Sequence, residues 1–285
     1  REVRLPEGIS VVGEAAFDRC AALQTIELPE TLKRIERNAF SESGLTAVAL
    51  RHVERLGKGA FRECGALASI DWGDSLRVIG ELAFDGCSLL SDIALPASVE
   101  SLEYGAFRGC SGLRTIALPA GLTKIPFSSF LGAGLTQVVI PDSVTGIEAI
   151  AFRDCASLER AVIPESVTAI APDAFLQYAG FEERSADAIP FFSQTLTIVG
   201  KSGSAADAYA AEYGLRFEDA DTGAIRESSC GTVEVSDVTL EAYRRWAKIY
   251  GYTLRDPSGA VYDPKAERAR QLTVALLGGA GVLVL

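Results

Sequence analysis

Leu95–Cys110 reads LPASVESLEYGAFRGC, and the spacing inside it decides the fold. Ala106-Phe107 stands eleven residues after Leu95-Pro96, and Cys110 follows Phe107 by three. Stacking the chain on itself brings the same landmarks up repeatedly. A small residue followed by phenylalanine gives Phe17, Phe40, Phe61, Phe84, Phe107, Phe130, Phe152 and Phe175, at intervals of 23, 21, 23, 23, 23, 22 and 23 residues. Alanine precedes the phenylalanine in every unit except one, where Ser129 does. The apolar-proline step recurs as Leu5-Pro6, Leu28-Pro29, Leu118-Pro119, Ile140-Pro141 and Ile163-Pro164, while Leu50-Arg51 and Trp72-Gly73 depart from it. Self-similarity at a fixed period of this size marks a solenoid, in which each repeat is one lap of a coil.

The landmarks are the corners of that lap. Leu113, Ile116 and Leu118 are spaced by three and two, as in a leucine-rich strand with its apolar side chains turned inward. The proline that follows lacks an N–H donor and ends the strand. Val99 with Leu102, and Ala106 with Phe107, supply two further inward groups. Alanine is small because the chain turns close to its neighbour there, and phenylalanine fills the space between coils. A lone repeat buries too little to offset its own ordering, so stability comes from stacking.

Cysteine adds a column. Cys20, Cys64, Cys87, Cys110 and Cys155 all lie three residues after the phenylalanine, with Ser43, Ala133 and Tyr178 taking that place in other units. Stacked strands lie about 4.8 Å apart, so Cys64, Cys87 and Cys110 should stand above one another. That spacing permits a disulfide, but the expectation is a ladder of buried free thiols behaving as small hydrophobes. They lack the CxxC spacing and convergent partners of a zinc site. No metal or cofactor is expected.

The stretches IALPASVESLEYGAFRGCSGL (93–113) and VVIPDSVTGIEAIAFRDCASL (138–158) resemble the BspA-like leucine-rich repeat family of bacterial surface proteins. The resemblance runs from about Leu5 to Phe175. It implies a right-handed solenoid with a parallel sheet on its concave face, export to the cell surface or beyond, and in some members adhesion to host proteins or other cells. TIVGKSGSAADAYAAEYGLRF (197–217) is similar to the closing element that often follows such repeats.

The expected fold is therefore α/β: a right-handed leucine-rich-repeat solenoid with short parallel β-strands on its concave face, plus a small C-terminal α+β appendage. Residues 1–175 hold the repeats, 176–220 a cap and 221–285 the appendage, which resembles no recognised family. REVRLP enters the repeat without an amphipathic cap, so native residues are expected ahead of Arg1. LRHV (50–53) is one residue shorter than LPASV (95–99), which reads as a deletion. Beyond Phe175 the period fails, and Phe181–Phe192 is expected to be irregular. Leu196–Val199 reads as a last strand, and Ser204 as the N-cap of a helix to about Tyr213, with Asp207 suiting its positive end. Gly200-Lys201-Ser202 after a strand invites a phosphate-loop reading, but Thr195 stands where the earlier glycine would be, so a cap turn is expected. Asp221–Cys230 reads as a linker. Ser236 would cap a helix over SDVTLEAYRRWAKIYGY, and DPSGAVYDP reads as a turn between extended pieces. The run Leu272–Leu285 has fourteen apolar or small residues, short of the roughly 20 that span a bilayer. It is expected to pack within the appendage; any membrane association would have to come through it.

Charge and residue inventory narrow the function. The chain carries 27 basic and 38 acidic residues for a net charge of −11, and residues 221–285 hold eight of each sign. The acidic excess thus lies in the repeats and cap, and neither nucleic acid nor an anionic membrane suits it. His52, the one histidine, is placed on the surface by its repeat position, and acid pairs such as Glu182-Glu183 read as solvated. No hydrolase elbow, zinc pair or complete phosphate loop appears. An enzyme is not expected.

Recognition is better supported. Residues flanking the inward position of each strand should point to the concave face, through which binding is expected. One such row reads Glu27, Ala49, Asp71, Ala94, Ala117, Val139, Val162, and the other Thr25, Ala47, Ser69, Asp92, Thr115, Gln137, Arg160. The face turns from mixed and acidic to apolar toward the later repeats. Ala94, Ala117, Val139 and Val162, bordered by Asp92, Thr115, Gln137 and Arg160, are the candidate contact patch. A protein of host or bacterial surface, or a glycan, is the expected partner. Alternatives are a carbohydrate-active or proteolytic enzyme sited in the appendage, or a spacer within a larger surface protein.

Overall fold

The computed structural model describes residues 2–179, 189–192, 195–228, 254–255 and 261–262. The chain divides into two compact units, one of Arg1–Gln177 with Phe192–Ser229 and the other of Tyr178–Phe191 with Cys230–Leu285.

The first unit is a solenoid of short parallel strands. Each coil begins with a three-residue strand, as at Asp92–Ala94, Thr115–Ala117, Gln137–Val139 and Arg160–Val162. The middle residue of each points inward: Ile93, Ile116, Val138 and Ala161 are buried. Successive strands are offset by one repeat, pairing Thr115 with Asp92, Ile116 with Ile93 and Ala117 with Ala94. A two-residue strand follows in every coil and was not anticipated. Val11–Val12, Arg34–Ile35, Arg55–Leu56, Val78–Ile79 and Ser101–Leu102 form one continuous parallel ladder, and Lys124–Ile125, Gly146–Ile147 and Ala169–Ile170 a second. A further line of bonds runs past the phenylalanines, whose N–H groups donate to the alanine carbonyl of the next coil: Phe40 to Ala60 and Phe61 to Ala83, both at 2.8 Å.

The core follows the landmarks. Phe17 through Phe175 stack as one column, with ring centroids 5.1–5.9 Å apart and planes within 9° of parallel. That is offset stacking, the arrangement ring quadrupoles favour. All are fully buried except Phe17 at the first coil. Cys20, Cys64, Cys87, Cys110 and Cys155 are free thiols. Cys64, Cys87, Cys110 and Cys155 donate to the phenylalanine carbonyl of the preceding coil, at 2.9, 3.1, 3.1 and 3.0 Å. Ser43 Oγ lies 3.3 Å from Cys64 Sγ and continues the ladder where cysteine is absent. The thiols therefore link coils by hydrogen bonds as well as filling space.

In each coil but the last, two residues adopt left-handed backbone, two before and two after the phenylalanine. Glycine serves at Gly105 and Gly109, but Leu82 (φ 55°) and Ile150 (φ 51°) do so as well. Strands on both sides fix the path, so the side-chain preference is overridden.

Short repeats leave a visible mark. The first sheet is interrupted between Thr25–Glu27 and Ala47–Ala49, between Ser69–Asp71 and Asp92–Ala94, and between Thr115–Ala117 and Gln137–Val139. At the first and the last of these breaks lies a glycine, Gly44 or Gly134, where the turn before the leucine is one residue shorter than SGL after Cys110. A Cβ on Gly44 or Gly134 would lie 2.1 Å from the carbonyl oxygen of Ala21 or Ser111 in the preceding coil. Only glycine fits at either place, as at Gly112 in the full-length turn, where a Cβ would lie 2.3 Å from Ser88 O. At Leu50 the other deletion is absorbed differently: Val53 N donates to Leu50 O, where Val99 N donates to Pro96 O.

The cap matches its sequence pattern. Strand Thr197–Gly200 pairs with Arg160–Val162 and with Arg216–Asp219. Between them runs the helix Ala205–Glu212, with Ser204 as N-cap accepting from Asp207 N, while Asp207 Oδ2 accepts from Gly203 N at 2.8 Å. Tyr209 on this helix closes the ring column, meeting Phe175 edge-on at 5.8 Å and donating its hydroxyl to Pro172 O. Ile225–Arg226, in the middle of the expected linker Asp221–Cys230, pairs antiparallel with Phe217–Glu218 and extends the cap past residue 220. Ile189–Phe192, expected to be irregular, is a strand paired with Leu176–Ala179.

In the second unit Leu254–Arg255 and Val261–Tyr262 form an antiparallel pair, so the second extended piece lies within DPSGAVYDP, which was expected to be turn throughout. The helix expected from Ser236 and the apolar run Leu272–Leu285 lie outside the described residues.

Candidate functional site

The fold brings all eight candidate residues to one face. They lie on four successive strands, in two hydrogen-bonded pairs: Asp92 and Ala94 beside Thr115 and Ala117, then Gln137 and Val139 beside Arg160 and Val162. Each sits in a flanking position around an inward residue, so local strand geometry alone sends it outward. Asp92, Ala94, Ala117 and Gln137 are exposed, Thr115, Arg160 and Val162 half-buried, and Val139 is 59% exposed.

The polar rim is less open than its sequence suggests. Thr115 Oγ1 donates to Asp92 Oδ1 at 2.7 Å across the strand pair. Arg160 makes a two-pronged pair with Glu218, Nη1 to Oε2 at 2.7 Å and Nη2 to Oε1 at 2.8 Å. That bond raises the guanidinium pKa and lowers that of the Glu218 carboxyl. Arg160 is thus a clasp between the last repeat and the cap, whereas sequence reading treated it as a free border of the patch. Glu218 was missed because it lies beyond the periodic region. What stays available is Gln137 and the aliphatic run Ala94, Ala117, Val139 and Val162.

Other sequence candidates resolve structurally. Gly200-Lys201-Ser202 forms a cap turn around Asp219, which accepts from Ser202 Oγ, from Thr222 Oγ1 (2.7 Å), and from the N–H groups of Ser202 (2.9 Å) and Thr222 (2.8 Å). These donors, Ser202 Oγ foremost, hold the Asp219 carboxyl far below the usual range. Lys201 pairs with Glu165 at 2.9 Å. His52, expected on the surface, is half-buried. Among the described residues no group of three or more His, Cys, Asp or Glu could hold a metal ion, and no helix is long and apolar enough to cross a membrane.

A stack of 21- to 23-residue coils with two short strands each, a buried ring column and one uncovered sheet face defines a leucine-rich-repeat solenoid. The chain belongs to the BspA-type leucine-rich repeat family: the family described as "BspA type Leucine rich repeat region (6 copies)" matches residues 1–104 and 78–183. Among solved structures, it is similar to a leucine rich cell surface protein of Faecalibacterium prausnitzii, with 30% identity over 73% of this chain and 62% of that one, at a TM-score of 0.46. It is also similar to the T. pallidum Leucine Rich Repeat protein, with 29% identity over 55% of this chain and 77% of that one, at a TM-score of 0.51. The chain spans less than two thirds of the F. prausnitzii protein. No curated protein matches it.

Proposed function

We propose that this chain is a non-catalytic recognition or adhesion module of a bacterial cell-surface or secreted protein, and that it holds a protein partner on the uncovered sheet face. The observation that carries this is Val139, a β-branched side chain 59% exposed at the end of Gln137–Val139, the edge strand of a sheet that continues in parallel through Arg160–Val162 and Thr197–Gly200. Parallel sheets ordinarily have both faces covered. Here the outer face is uncovered over Ala94, Ala117 and Val139, and it is flat because those side chains are short. Satisfaction of Asp92 by Thr115 and of Arg160 by Glu218 supports the reading, since a docking partner then need not supply charges of its own to reach the aliphatic strip. Family membership supports surface placement.

The test is adherence of beads coated with the purified chain to a cultured epithelial layer. Val139→Asp with Val162→Asp should abolish adherence while thermal unfolding stays within a few degrees of the unaltered chain. Unchanged adherence by the folded double variant removes this face from consideration.

A further inference from the structure

Two aromatic rings stand on a different side of the coil. Tyr104 and Phe127 each lie three residues before the phenylalanine of their unit, just past the strands Ser101–Leu102 and Lys124–Ile125. Leu82 N donates to Tyr104 O at 2.8 Å, Gly105 N to Phe127 O at 3.1 Å and Ser128 N to Ala149 O at 3.2 Å. Tyr104, Phe127 and Ala149 are therefore successive steps of one column. The two rings stack at 5.5 Å with planes 24° apart, so Tyr104 covers one face of Phe127. On the other side Ala149 offers only a methyl group, and Phe127 is left 40% exposed.

That omission makes a slot. The following step of the column is the exposed Pro172, two coils beyond Phe127, which at ~4.8 Å per coil is about 9.6 Å away. A ring packed against both walls needs about 7–8 Å, given contacts of ~3.5–4.0 Å on each side. One ring-thick ligand fits, lying over Ala149.

The rim is polar and locally neutral. Glu148 Oε2 accepts from Phe127 N at 2.8 Å and its Oε1 from Lys124 Nζ at 2.6 Å. Partial burial opposes ionisation of Glu148, but the Lys124 and Phe127 bonds outweigh it and lower its pKa. The carboxylate keeps acceptor sites, and the ammonium keeps donors. A purely aliphatic ligand would strip water from both without replacing it. An anion would meet Glu148 and a chain of net charge −11, and a cation would meet Lys124. A neutral ring with an apolar C–H face and a hydroxyl edge meets every condition: its C–H groups face the ring quadrupole, and its hydroxyls donate to Glu148 and accept from Lys124.

We propose that Tyr104, Phe127, Ala149 and Pro172, with Lys124 and Glu148, form a binding site for a neutral hexopyranose ring, the unit of an uncharged glycan. The site is separate from the sheet face and does not rest on the reading given to it. Calorimetric titration of the full chain with cellohexaose and with maltohexaose tests it. At least one oligomer should bind. Phe127→Ala should weaken that binding by about tenfold or more, the loss of one ring contact. Ala149→Gln should block the slot while leaving both rings in place, and Val139→Asp with Val162→Asp should bind sugar like the unaltered chain. Should Phe127→Ala fail to fold, Ala149→Gln decides the matter. No binding of either oligomer at about 10 mM, a concentration that detects even millimolar affinity, overturns the proposal. So does undiminished binding by the folded Phe127→Ala or Ala149→Gln chain.

Discussion

Truncating one ring of the phenylalanine column should cost very different amounts at its middle and at its end. Phe107 is fully buried and stacks on Phe84 at 5.4 Å and Phe130 at 5.9 Å. Phe17 is half-buried and has one ring neighbour, Phe40 at 5.2 Å. Removing a buried phenylalanine side chain costs about 3–5 kcal/mol, and each ring pair adds ~0.5–1.5 kcal/mol beyond burial. Phe107→Ala should therefore lose about 4–8 kcal/mol, while Phe17→Ala, with partial burial and one pair, should lose about 2 kcal/mol.

Urea unfolding followed by far-UV circular dichroism separates the two. With a slope of about 3 kcal/mol/M, the midpoint should fall by roughly 1.3–2.7 M for Phe107→Ala and by ~0.7 M for Phe17→Ala. The shape of the transition should differ too. Each coil touches only its neighbours, so a weakened interface in the middle uncouples the coils on either side and broadens the transition. A weakened end only frays. Equal midpoint shifts for the two variants would refute the reasoning, because the column would then not be a stack of nearest-neighbour contacts.

Burial raises the pKa of the Cys64, Cys87, Cys110 and Cys155 thiols. Their neutral form is favoured on folding, so this stability is fully present below the unfolded thiol pKa and is lost as pH rises toward the folded values. Stability should fall above about pH 9, by up to ~1.4 kcal/mol per pH unit for each thiol, and Cys87→Ala should make that slope shallower when chemical unfolding is repeated between pH 7 and pH 10.5. Gly134→Ala drives a Cβ to 2.1 Å from a backbone oxygen, whereas a Cβ on Gly65, four residues after its phenylalanine as Gly134 is, meets only Ser88 Oγ at 3.7 Å. Thermal melts should show Gly134→Ala losing more than about 2 kcal/mol and Gly65→Ala unchanged or stabilised by up to ~1 kcal/mol.

What the sequence reveals about this molecule is whatever repeats with the coil. The ring column, the thiol ladder, the inward residues of the three-residue strands and the outward rows beside them all sit at fixed distances from one another, so eight imperfect copies average out each departure. The cap helix was legible for a different reason: Ser204 and Asp207 carry a local capping pattern that needs no periodicity. The two-residue strands had neither property. Arg34–Ile35 or Lys124–Ile125 is too short to alternate visibly, and its extended shape is imposed by the coils above and below. Left-handed Leu82 and Ile150 run against their own preference, which only the flanking strands overrule. The Arg160–Glu218 clasp spans 58 residues and joins a periodic element to an aperiodic one, so no comparison of repeat with repeat exposes it. Tyr104 and Phe127 are the instructive case, because they do lie at repeat spacing. A search for inward landmarks passes over them, since six other coils place Glu14, Arg37, Lys58, Glu81, Ala149 or Pro172 there. In a solenoid, shared positions carry the fold, and a position where two neighbouring coils break the pattern in the same way is where recognition chemistry can be added without disturbing the stack.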